Sequence, residues 1–338
     1  MPRRSTQTVA VVAAQATESG IVDPLAGAIL ETSEPSSPRS NGWDAVVIGG
    51  GPAGLTGALY LARFRRSVLL LDDGRSRAAR IPRSHNYPGF ADGVPGAELV
   101  STIRRQAQAH GVATAPHRVV SIVRQDAGFE LGWDGGGAFC RKLLLATGVS
   151  DVEPGIPHEP EALMRGVLRY CPVCDGYEVS GRAVGLLLDG PMHVGEALYL
   201  RHFTSEVTVF LASKMPRLPA VQSRQLSEAG IEVVHVGDRR DVEFCSGGVT
   251  IRQGDRAFFC HALYVALGLN IHTALATALG ASRDHEGYLS VDRHHQTSVA
   301  GLYAAGDVAQ GLNQICVATG AAAIAASAMH LALGVGCA

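Results

Sequence analysis

The stretch Val-Val-Ile-Gly-Gly-Gly-Pro-Ala-Gly at residues 46–54 decides the fold. It has the pattern of a buried parallel strand that runs through a glycine turn into a helix. Gly49, Gly51 and Gly54 have the spacing of a dinucleotide fingerprint, in which glycines permit a tight turn, close approach of a pyrophosphate and close helix packing. Asp72 follows about twenty residues later, where an acid binds ribose hydroxyls. The context favours dinucleotide binding over a merely tight turn.

This segment occurs twice in the chain. Gly51-Pro52 aligns with Gly190-Pro191, and the run Ala-Leu-Tyr-Leu follows both pairs at the same offset. The second copy has lost the residues that would hold a nucleotide. The positions of Gly49, Gly51, Gly54 and Asp72 are taken there by Leu188, Gly190, His193 and Leu211. We expect large side chains at two of these positions, and the negative charge of Asp189, to disfavour a bound pyrophosphate.

A pair of cysteines, Cys171-Pro-Val-Cys174, precedes the second copy and is followed directly by Asp175. This spacing suits a reversible disulfide at a helix start. Zinc binding is the weaker interpretation, because no second Cys-x-x-Cys or matching histidine pair is present. We predict no metal site, since the neighbours His294-His295 would point to opposite faces of an extended segment. The other cysteines stand singly, mostly in apolar runs, and are expected to be structural. They are Cys140, Cys245, Cys260, Cys316 and Cys337.

Composition limits the possible partners. The chain has 338 residues, of which 46% are hydrophobic and 18% charged, and its net charge is -2. We expect no nucleic-acid or anionic-membrane partner, because neither a basic excess nor a basic stripe is present. No apolar run of about twenty residues is free of polar interruption, so we expect no membrane span. Residues 1–41 only faintly imitate an export signal, and we predict a disordered tail on a cytoplasmic protein.

Five motifs occur in the order found in low-molecular-weight thioredoxin reductases, which this chain resembles over about residues 43 to 335. They are Val47-Ile-Gly-Gly-Gly-Pro-Ala-Gly54, Asn86-Tyr-Pro-Gly89, Ala146-Thr-Gly148, Cys171-Pro-Val-Cys-Asp175 and Gly301-Leu-Tyr-Ala-Ala-Gly-Asp307. The resemblance implies a homodimer that binds FAD, with Asp307 near the ribityl and phosphate chain and Gln314 near the flavin ring. The cofactor-binding residues that it implies are Gly49, Gly51, Pro52, Ala53, Gly54, Asp72, Asp73, Asn86, Thr147, Gly148, Gly306, Asp307 and Gln314.

The fold class that follows is α/β, with two Rossmann-like, three-layer domains. We predict a discontinuous FAD-binding domain, residues 42–156 and 287–338. Residues 157–286 would form an inserted, degenerate pyridine-nucleotide-type domain that carries the dithiol. The resemblance also implies catalytic roles. Cys174 would face the flavin, Cys171 would exchange with the substrate, and Asp175 would donate and accept protons, although a residue at this position can also simply cap a helix.

The chain departs from the resemblance where NADPH would bind. The family has a second glycine fingerprint and basic residues for the 2′-phosphate, whereas this chain has Leu211-Ala212-Ser213 there, with Lys214 and Arg217 as the only nearby compensation. The leading hypothesis is a dithiol oxidase that uses oxygen and keeps its disulfide against the flavin. The alternatives are a thioredoxin reductase that receives electrons from ferredoxin or, less favoured, from NADPH, and a flavoprotein redox sensor without turnover. The substrate would be a small dithiol or a thioredoxin-like protein.

Overall fold

A computed structural model describes residues 42–212, 217–236 and 241–334. The first sheet has seven strands in the order β3-β2-β1-β6-β5-β4, and the last strand of the chain, β17, also pairs with β6. The strands that build the nucleotide-type part run parallel, whereas β4, β5 and β6 pair in antiparallel fashion. The strands are β1 (Trp43–Ile48), β2 (Val68–Leu71), β3 (Ala113–Ala115), β4 (Ser121–Gln125), β5 (Gly128–Trp133), β6 (Gly136–Leu145) and β17 (Leu302–Ala304).

Strand β1 is buried on both faces, as its unbroken apolar sequence predicts. Ala45 and Val47 contribute to one core with the helices α1 (Pro52–Arg63), α2 (Gly96–Ala109) and α8 (Ile315–Ala332). Val46 and Ile48 belong to a second core on the opposite face. Helix α8 is long and apolar enough to cross a bilayer by length and composition. One side of it instead packs against α1 in the core through the small residues Ala318, Ala322, Ala325 and Ala326 and through Met329.

The second sheet repeats the strand order of the first. Its five parallel strands are arranged β11-β10-β9-β15-β8, and the first four take the places of β3-β2-β1-β6, whereas β8 precedes β9 in the chain and β17 follows β6. This agreement supports the internal repeat. The strands are β8 (Leu168–Arg169), β9 (Val184–Leu188), β10 (Val207–Ala212), β11 (Glu232–Val236) and β15 (Ala262–Ala266). The helices of this part are α3 (Glu159–Met164), α4 (Pro172–Asp175), α5 (Val194–Leu200) and α6 (Ala220–Glu228).

Two smaller sheets complete the described fold. One consists of three antiparallel strands, β12 (Val242–Cys245), β13 (Gly248–Gln253) and β14 (Arg256–Cys260). The other pairs β7 (Val149–Asp151) with β16 (Leu269–Ile271), directly before the short helix α7 (Ala274–Ala278). The chain returns to the first sheet through β17 after it has built the second, so the second sheet is an insertion. The predicted boundaries at 156/157 and 286/287 stay a prediction, and the predicted tail lies outside the described residues.

The helix of the second copy is shorter than the sequence suggests. The pattern predicts a helix from about Met192 to Phe203, but residues Pro191–His193 form a 3₁₀ turn and α5 covers only Val194–Leu200. The corresponding helix α1 begins immediately after its glycine turn, at Pro52, and has 12 residues. The start of the helix therefore differs between the copies at the place where a pyrophosphate binds in this kind of fold.

Candidate functional site

Two of the three fingerprint glycines of the first copy, Gly49 and Gly54, have no room for a side chain. A Cβ atom on Gly49, whose φ is +109°, would lie 2.2 Å from the Ala146 carbonyl oxygen. A Cβ on Gly54 would lie 1.8 Å from the Gly49 carbonyl oxygen, and one on Gly306 would lie 2.8 Å from the Cβ of Ala53. Pro52 and Ala53 are buried in the first turn of α1. These contacts hold the strand ends and the helix N-terminus close together, as a dinucleotide fingerprint requires.

One side of the turn is open toward a polar group. A Cβ on Gly51 would meet only the Ser76 hydroxyl oxygen, at 3.4 Å. That hydroxyl is buried and has no hydrogen-bond partner within the described ranges. Helix α1 begins there without a side-chain cap, so its first N–H groups are available to an anion. The residues present therefore fit the pyrophosphate of a dinucleotide.

The acid that the spacing assigns to the ribose also braces the turn. Asp72 accepts hydrogen bonds from the backbone N–H groups of Gly50 and Gly74, at 3.1 and 3.2 Å, and its other oxygen pairs with Arg104. Its neighbour Asp73 is more exposed and makes a local contact with Arg75. Both carboxylates lie at the carboxyl end of β2, so the position agrees with the sequence expectation. The partners of Asp72 add a structural function that the spacing does not predict.

Asp307 follows β17 and lies beside an arginine. The Arg77 guanidinium binds both oxygens of Asp151, at 2.6 and 2.9 Å, and lies 3.6 Å from a carboxylate oxygen of Asp307. Burial raises the pKa of Asp307, and the positive charge of Arg77 opposes this effect. Arg77 thus lies between the carboxylates of Asp151 at the end of β7 and Asp307 just after β17. The sequence motifs identified Asp307 but gave no signal for Arg77.

Thr147 and Gly148 lie at the carboxyl end of β6. Thr147 contacts His272, the residue that directly follows β16. The Thr147 hydroxyl donates to the His272 carbonyl oxygen at 2.8 Å, and the His272 ring nitrogen Nδ1 lies 2.9 Å from the Thr147 carbonyl oxygen. The other ring nitrogen lies 3.1 Å from the Ser150 hydroxyl. Gly148 has a φ of +61° and open space beside it. His272 therefore ties together the two segments that carry β7 and β16.

Gln314 connects the first part of the molecule to the dithiol. Its side-chain nitrogen lies 3.3 Å from the sulfur of Cys174 and 3.7 Å from that of Cys171. Asn86 donates to the Gln314 side-chain oxygen at 2.9 Å, and the Ser84 hydroxyl donates to Asn86 at 3.1 Å. Gln314, which was predicted near the flavin ring, is thus in direct contact with the predicted redox pair, 140 positions or more away in sequence.

Cys171 and Cys174 form a disulfide. Cys171 is the N-cap of α4, and its carbonyl oxygen and sulfur both accept from the backbone N–H of Cys174, at 3.0 and 3.1 Å. Both cysteines are partly accessible, whereas Pro172 between them is buried and Val173 is exposed. The other cysteines differ in their surroundings. Burial raises the pKa of both the Cys140 and the Cys260 thiol to about 12, which makes these two thiols inert.

Asp175 is the most constrained residue of this centre. The Tyr264 hydroxyl donates to its Oδ1 atom at 2.8 Å, and the Arg169 guanidinium lies 2.7 Å from its Oδ2 atom. Burial raises the pKa of Asp175, while the charge of Arg169 and the hydrogen bond from Tyr264 oppose the shift. The predicted proton donor and acceptor is therefore fixed by residues from β8 and β15. Sequence reasoning missed both, because neither forms part of a local motif.

The corresponding turn of the second copy is filled differently. Leu188 is fully buried in the core beneath α5, and Asp189 is exposed. The His193 ring lies 3.2 Å from the Glu196 carboxylate, and its other nitrogen would be 3.9 Å from a Cβ on Gly268. The hydrogen bond to Glu196 raises the pKa of His193, and Asp189 adds to this effect. Leu211 lies in the core, Ser213 and Lys214 lie outside the described residues, and Arg217 is exposed.

Comparisons with known proteins agree with this geometry. The family model described as pyridine nucleotide-disulphide oxidoreductase matches residues 43–322. A thioredoxin reductase of Treponema pallidum (strain Nichols) is 31% identical over 299 residues, which is 85% of this chain and 95% of the relative. The crystal structure of HlmI is similar with a TM-score of 0.78 at 30% identity, over 88% of this chain and 95% of HlmI. Thioredoxin reductase from Streptococcus pyogenes MGAS5005 gives a TM-score of 0.76 at 27% identity, over 87% and 99%.

The glycine turn, the disulfide held against Gln314 and the two matching sheets thus occur together in one chain that this family model covers. The chain belongs to the pyridine nucleotide-disulphide oxidoreductase family and is an FAD-dependent disulfide oxidoreductase of the thioredoxin reductase type.

Proposed function

We propose that this enzyme oxidises a dithiol to a disulfide with oxygen as the acceptor and does not use NADPH. The observation that carries the proposal is His193 in the second copy. It stands where a fingerprint has its third glycine, it pairs with Glu196, and the turn that contains it replaces the first α-helical turn. The exposed carboxylate of Asp189 adds negative charge next to the same turn, which disfavours a pyrophosphate.

The contact between Gln314 and the disulfide supports electron transfer without a second nucleotide. The resemblance puts Gln314 at the flavin ring, so this arrangement keeps Cys174 next to the place where electrons leave the dithiol. In an enzyme that binds NADPH, NADPH and the disulfide must take turns beside the flavin. An enzyme that does not bind NADPH can keep its disulfide there throughout. When bound, FAD would supply a two-electron acceptor beside Cys174.

We propose that FAD is held by the residues of the first copy and the loops around it. Gly51, Ser76 and the N-terminus of α1 would hold the pyrophosphate, with Asp72 or Asp73 at the ribose. The other residues that would contact FAD lie around the same edge of the first sheet. They are Gly49, Pro52, Ala53, Gly54, Asn86, Thr147, Gly148, Gly306, Asp307 and Gln314.

The reaction begins with exchange at the cysteine pair. A substrate thiol loses its proton and its thiolate attacks Cys171, which breaks the disulfide and releases Cys174 as a thiolate. The second substrate thiol then loses its proton, and its thiolate attacks the substrate sulfur of the mixed disulfide, which closes the substrate disulfide and releases Cys171 as a thiolate. Two electrons and two protons have then left the substrate, and oxygen finally takes them as hydrogen peroxide. Exposed apolar side chains within three residues of the cysteines, Val173 and Tyr177, favour an apolar dithiol.

We further propose a cytoplasmic homodimer. Val317, Ile324 and Leu331 are exposed on α8 at intervals of seven residues, so they share one face of the helix. A second copy of the chain that covered this face would bury the three apolar side chains, none of which carries a charge that would have to be desolvated. Sedimentation equilibrium of the purified protein measures the state directly, and a monomer at micromolar concentration would contradict this part of the proposal.

The test of the proposed function is aerobic turnover with a dithiol. The holoenzyme is mixed with dithiothreitol, and oxygen consumption and hydrogen peroxide are recorded. We expect one peroxide for each disulfide formed, and no turnover in Cys171→Ser. Turnover that requires reduced ferredoxin and thioredoxin would instead establish the reductase alternative. A flavin that none of these donors reduces would point to a sensor.

A further inference from the structure

Asp175 directly follows the cysteine pair, and two side chains hold both its carboxyl group and its main chain. The Tyr264 hydroxyl donates to the Oδ1 atom at 2.8 Å and to the backbone oxygen of Asp175 at 3.1 Å. The Arg169 guanidinium nitrogen Nη1 lies 2.7 Å from the Oδ2 atom and 3.4 Å from the same backbone oxygen. Each carboxyl oxygen of Asp175 thus has a donor of its own.

Asp175 also belongs to the turn that carries the disulfide. It is the last residue of α4, and its backbone N–H donates to the Cys171 carbonyl oxygen at 3.3 Å. Its side chain is 29% exposed, so the carboxyl group can exchange a proton with solvent. The two donors therefore fix a carboxyl group that is hydrogen-bonded into the turn of the cysteine pair and is still accessible to a proton.

The two donors are themselves held in place by neighbouring strands. Arg169 and Tyr264 are partners in the parallel pairing of β8 with β15. The Arg169 Nε atom donates to the Gly166 carbonyl oxygen at 2.9 Å, and its side chain is only 17% exposed. Tyr264 is fully buried in a strand of the second core, where a phenylalanine would fill nearly the same space. Its hydroxyl is therefore the part of the residue that the core packing does not explain.

Donors on both carboxyl oxygens favour the ionised form of Asp175, because a proton on either oxygen would face a donor. Burial acts in the opposite direction and raises the pKa of Asp175, whereas the charge of Arg169 and the hydrogen bond from Tyr264 lower it. The ionised form is the one that can accept a proton from a substrate thiol, which attacks a disulfide only as its thiolate. Loss of either donor would leave the effect of burial less opposed.

The other charged groups around α4 do not replace these donors. Glu178, in the 3₁₀ turn that follows α4, adds a negative charge that raises the pKa of Asp175 further. Glu196 belongs to α5, which packs against α4, and its partner is the histidine three residues before it. Arg169 thus supplies a positive charge that opposes both burial and Glu178.

We propose that Arg169 and Tyr264 are positioning residues that keep Asp175 ionised, so that it accepts the proton of a substrate thiol. In this step the proton moves to the Asp175 carboxylate while the substrate thiolate attacks Cys171. The bond between Cys171 and Cys174 breaks, and Cys174 leaves as a thiolate. The inference rests on the proposed function, because an ionised carboxyl group suits the removal of protons from a dithiol, whereas the reverse reaction needs a proton donor.

The test measures the limiting rate of flavin bleaching by dithiothreitol in the holoenzyme, without oxygen, at a series of pH values. The rate in Arg169→Met is divided by the wild-type rate at each pH, so that the ionisation of dithiothreitol cancels. We expect a ratio below about 0.1 near pH 6 that rises above about 0.3 near pH 9, since an adjacent opposite charge lowers a carboxyl pKa by about 1 to 3 units. The half-saturating concentration should stay within about threefold of wild type.

Three further variants make the result specific. Tyr264→Phe removes one hydroxyl from a buried ring and should give a smaller deficit with the same pH trend. Arg169→Lys keeps the positive charge and should recover part of the rate at low pH. Arg182→Met changes an exposed arginine just before β9, and as the matched control it should behave as wild type at every pH.

A ratio that stays constant over the whole pH range would overturn the proposal, because a merely structural role of Arg169 slows the exchange equally at every pH. If Arg169→Met loses its flavin, Tyr264→Phe gives the decision, and a constant ratio in that variant also overturns the proposal. A wild type that dithiothreitol does not bleach contradicts the proposed function, and the inference fails with it. A wild type that is bleached, together with a constant ratio, contradicts the inference alone.

Discussion

The two copies of the repeated segment, residues 46–72 and 185–211, share a strand order and differ in one turn. In the first, Gly54 lets the helix begin at once, against the backbone of Gly49. In the second, His193 occupies that position, and a 3₁₀ turn precedes a shorter helix. The fold tolerates this loss because its stability comes from the buried strands and helix faces, whereas phosphate binding depends on backbone N–H groups at the helix start. Under the proposed function, the difference teaches that a Rossmann-like module can lose its ligand site and keep its architecture.

The sharpest way to break this comparison is to exchange the residue that distinguishes the copies. Gly54→His puts a Cβ atom 1.8 Å from the Gly49 carbonyl oxygen, so the turn must open and the flavin site is lost. We expect less than about a tenth of the wild-type flavin content, since a backbone clash of this kind costs several kcal/mol. The measurement is flavin absorbance per protein after gel filtration. The reciprocal variant, His193→Gly, should retain its flavin, and stoichiometric flavin in Gly54→His would contradict the account.

The next effect concerns the dithiol, which precedes the second copy but contacts the first part through Gln314. Cys174→Ser should lower turnover by at least about 10³-fold, as expected when a covalent redox group is removed, and should leave the flavin bound. Cys316→Ser is the control, because Cys316 is an exposed free cysteine only two residues after Gln314. Turnover is measured with dithiothreitol and oxygen. Equal losses in both variants would show that the pair alone does not carry the reaction.

A smaller difference is expected between Asp72 of the first copy and Asp189 of the second, in their effect on FAD affinity. Asp72→Ala removes the acceptor for two backbone N–H groups and the partner of Arg104. We expect FAD to bind more weakly by about 1 to 3 kcal/mol, which is the usual cost of unpaired buried groups. Asp189→Ala changes an exposed residue of the second copy and should leave FAD affinity unchanged. Equilibrium titration of the apoprotein with FAD compares them, and similar losses would remove the distinction between the copies.

The smallest effect is a pH dependence of stability in the second copy. Glu196 raises the pKa of His193 in the folded protein, so this pair stabilises the fold fully below the unfolded pKa of histidine, about 6.5. The contribution disappears as the pH rises through the higher folded pKa. We expect a difference of about 0.5 kcal/mol between wild type and Glu196→Gln at pH 5 that vanishes near pH 9. Urea unfolding at both pH values measures it, and a difference that grows with pH would contradict the assignment.

Local sequence patterns predict much of this architecture. The strand, glycine turn and helix of residues 43–63 follow from apolar patterning. The contact of Gln314 with the cysteines was expected only through the resemblance, because it joins residues that are far apart in sequence. The antiparallel strands β12 to β14 were missed, since their short, half-exposed runs lack a strong period.

The partners of Asp175 could not be predicted for a related reason. Arg169 lies in a strand of two residues and Tyr264 in a wholly buried strand, where a tyrosine reads as part of the core. Only the parallel pairing of Leu263-Tyr264 with Leu168-Arg169 brings both to Asp175. The early end of α5 was also not predictable, because tertiary packing decides where a short helix stops.

The most direct test of the central claim is an anaerobic titration of the oxidised holoenzyme with NADPH, followed by dithiothreitol. The account predicts that the flavin stays oxidised at millimolar NADPH and is then bleached by about one equivalent of dithiol beyond the amount that reduces the cysteine pair. Stoichiometric bleaching by NADPH would contradict it, because the turn that contains His193 would then be a working nucleotide site.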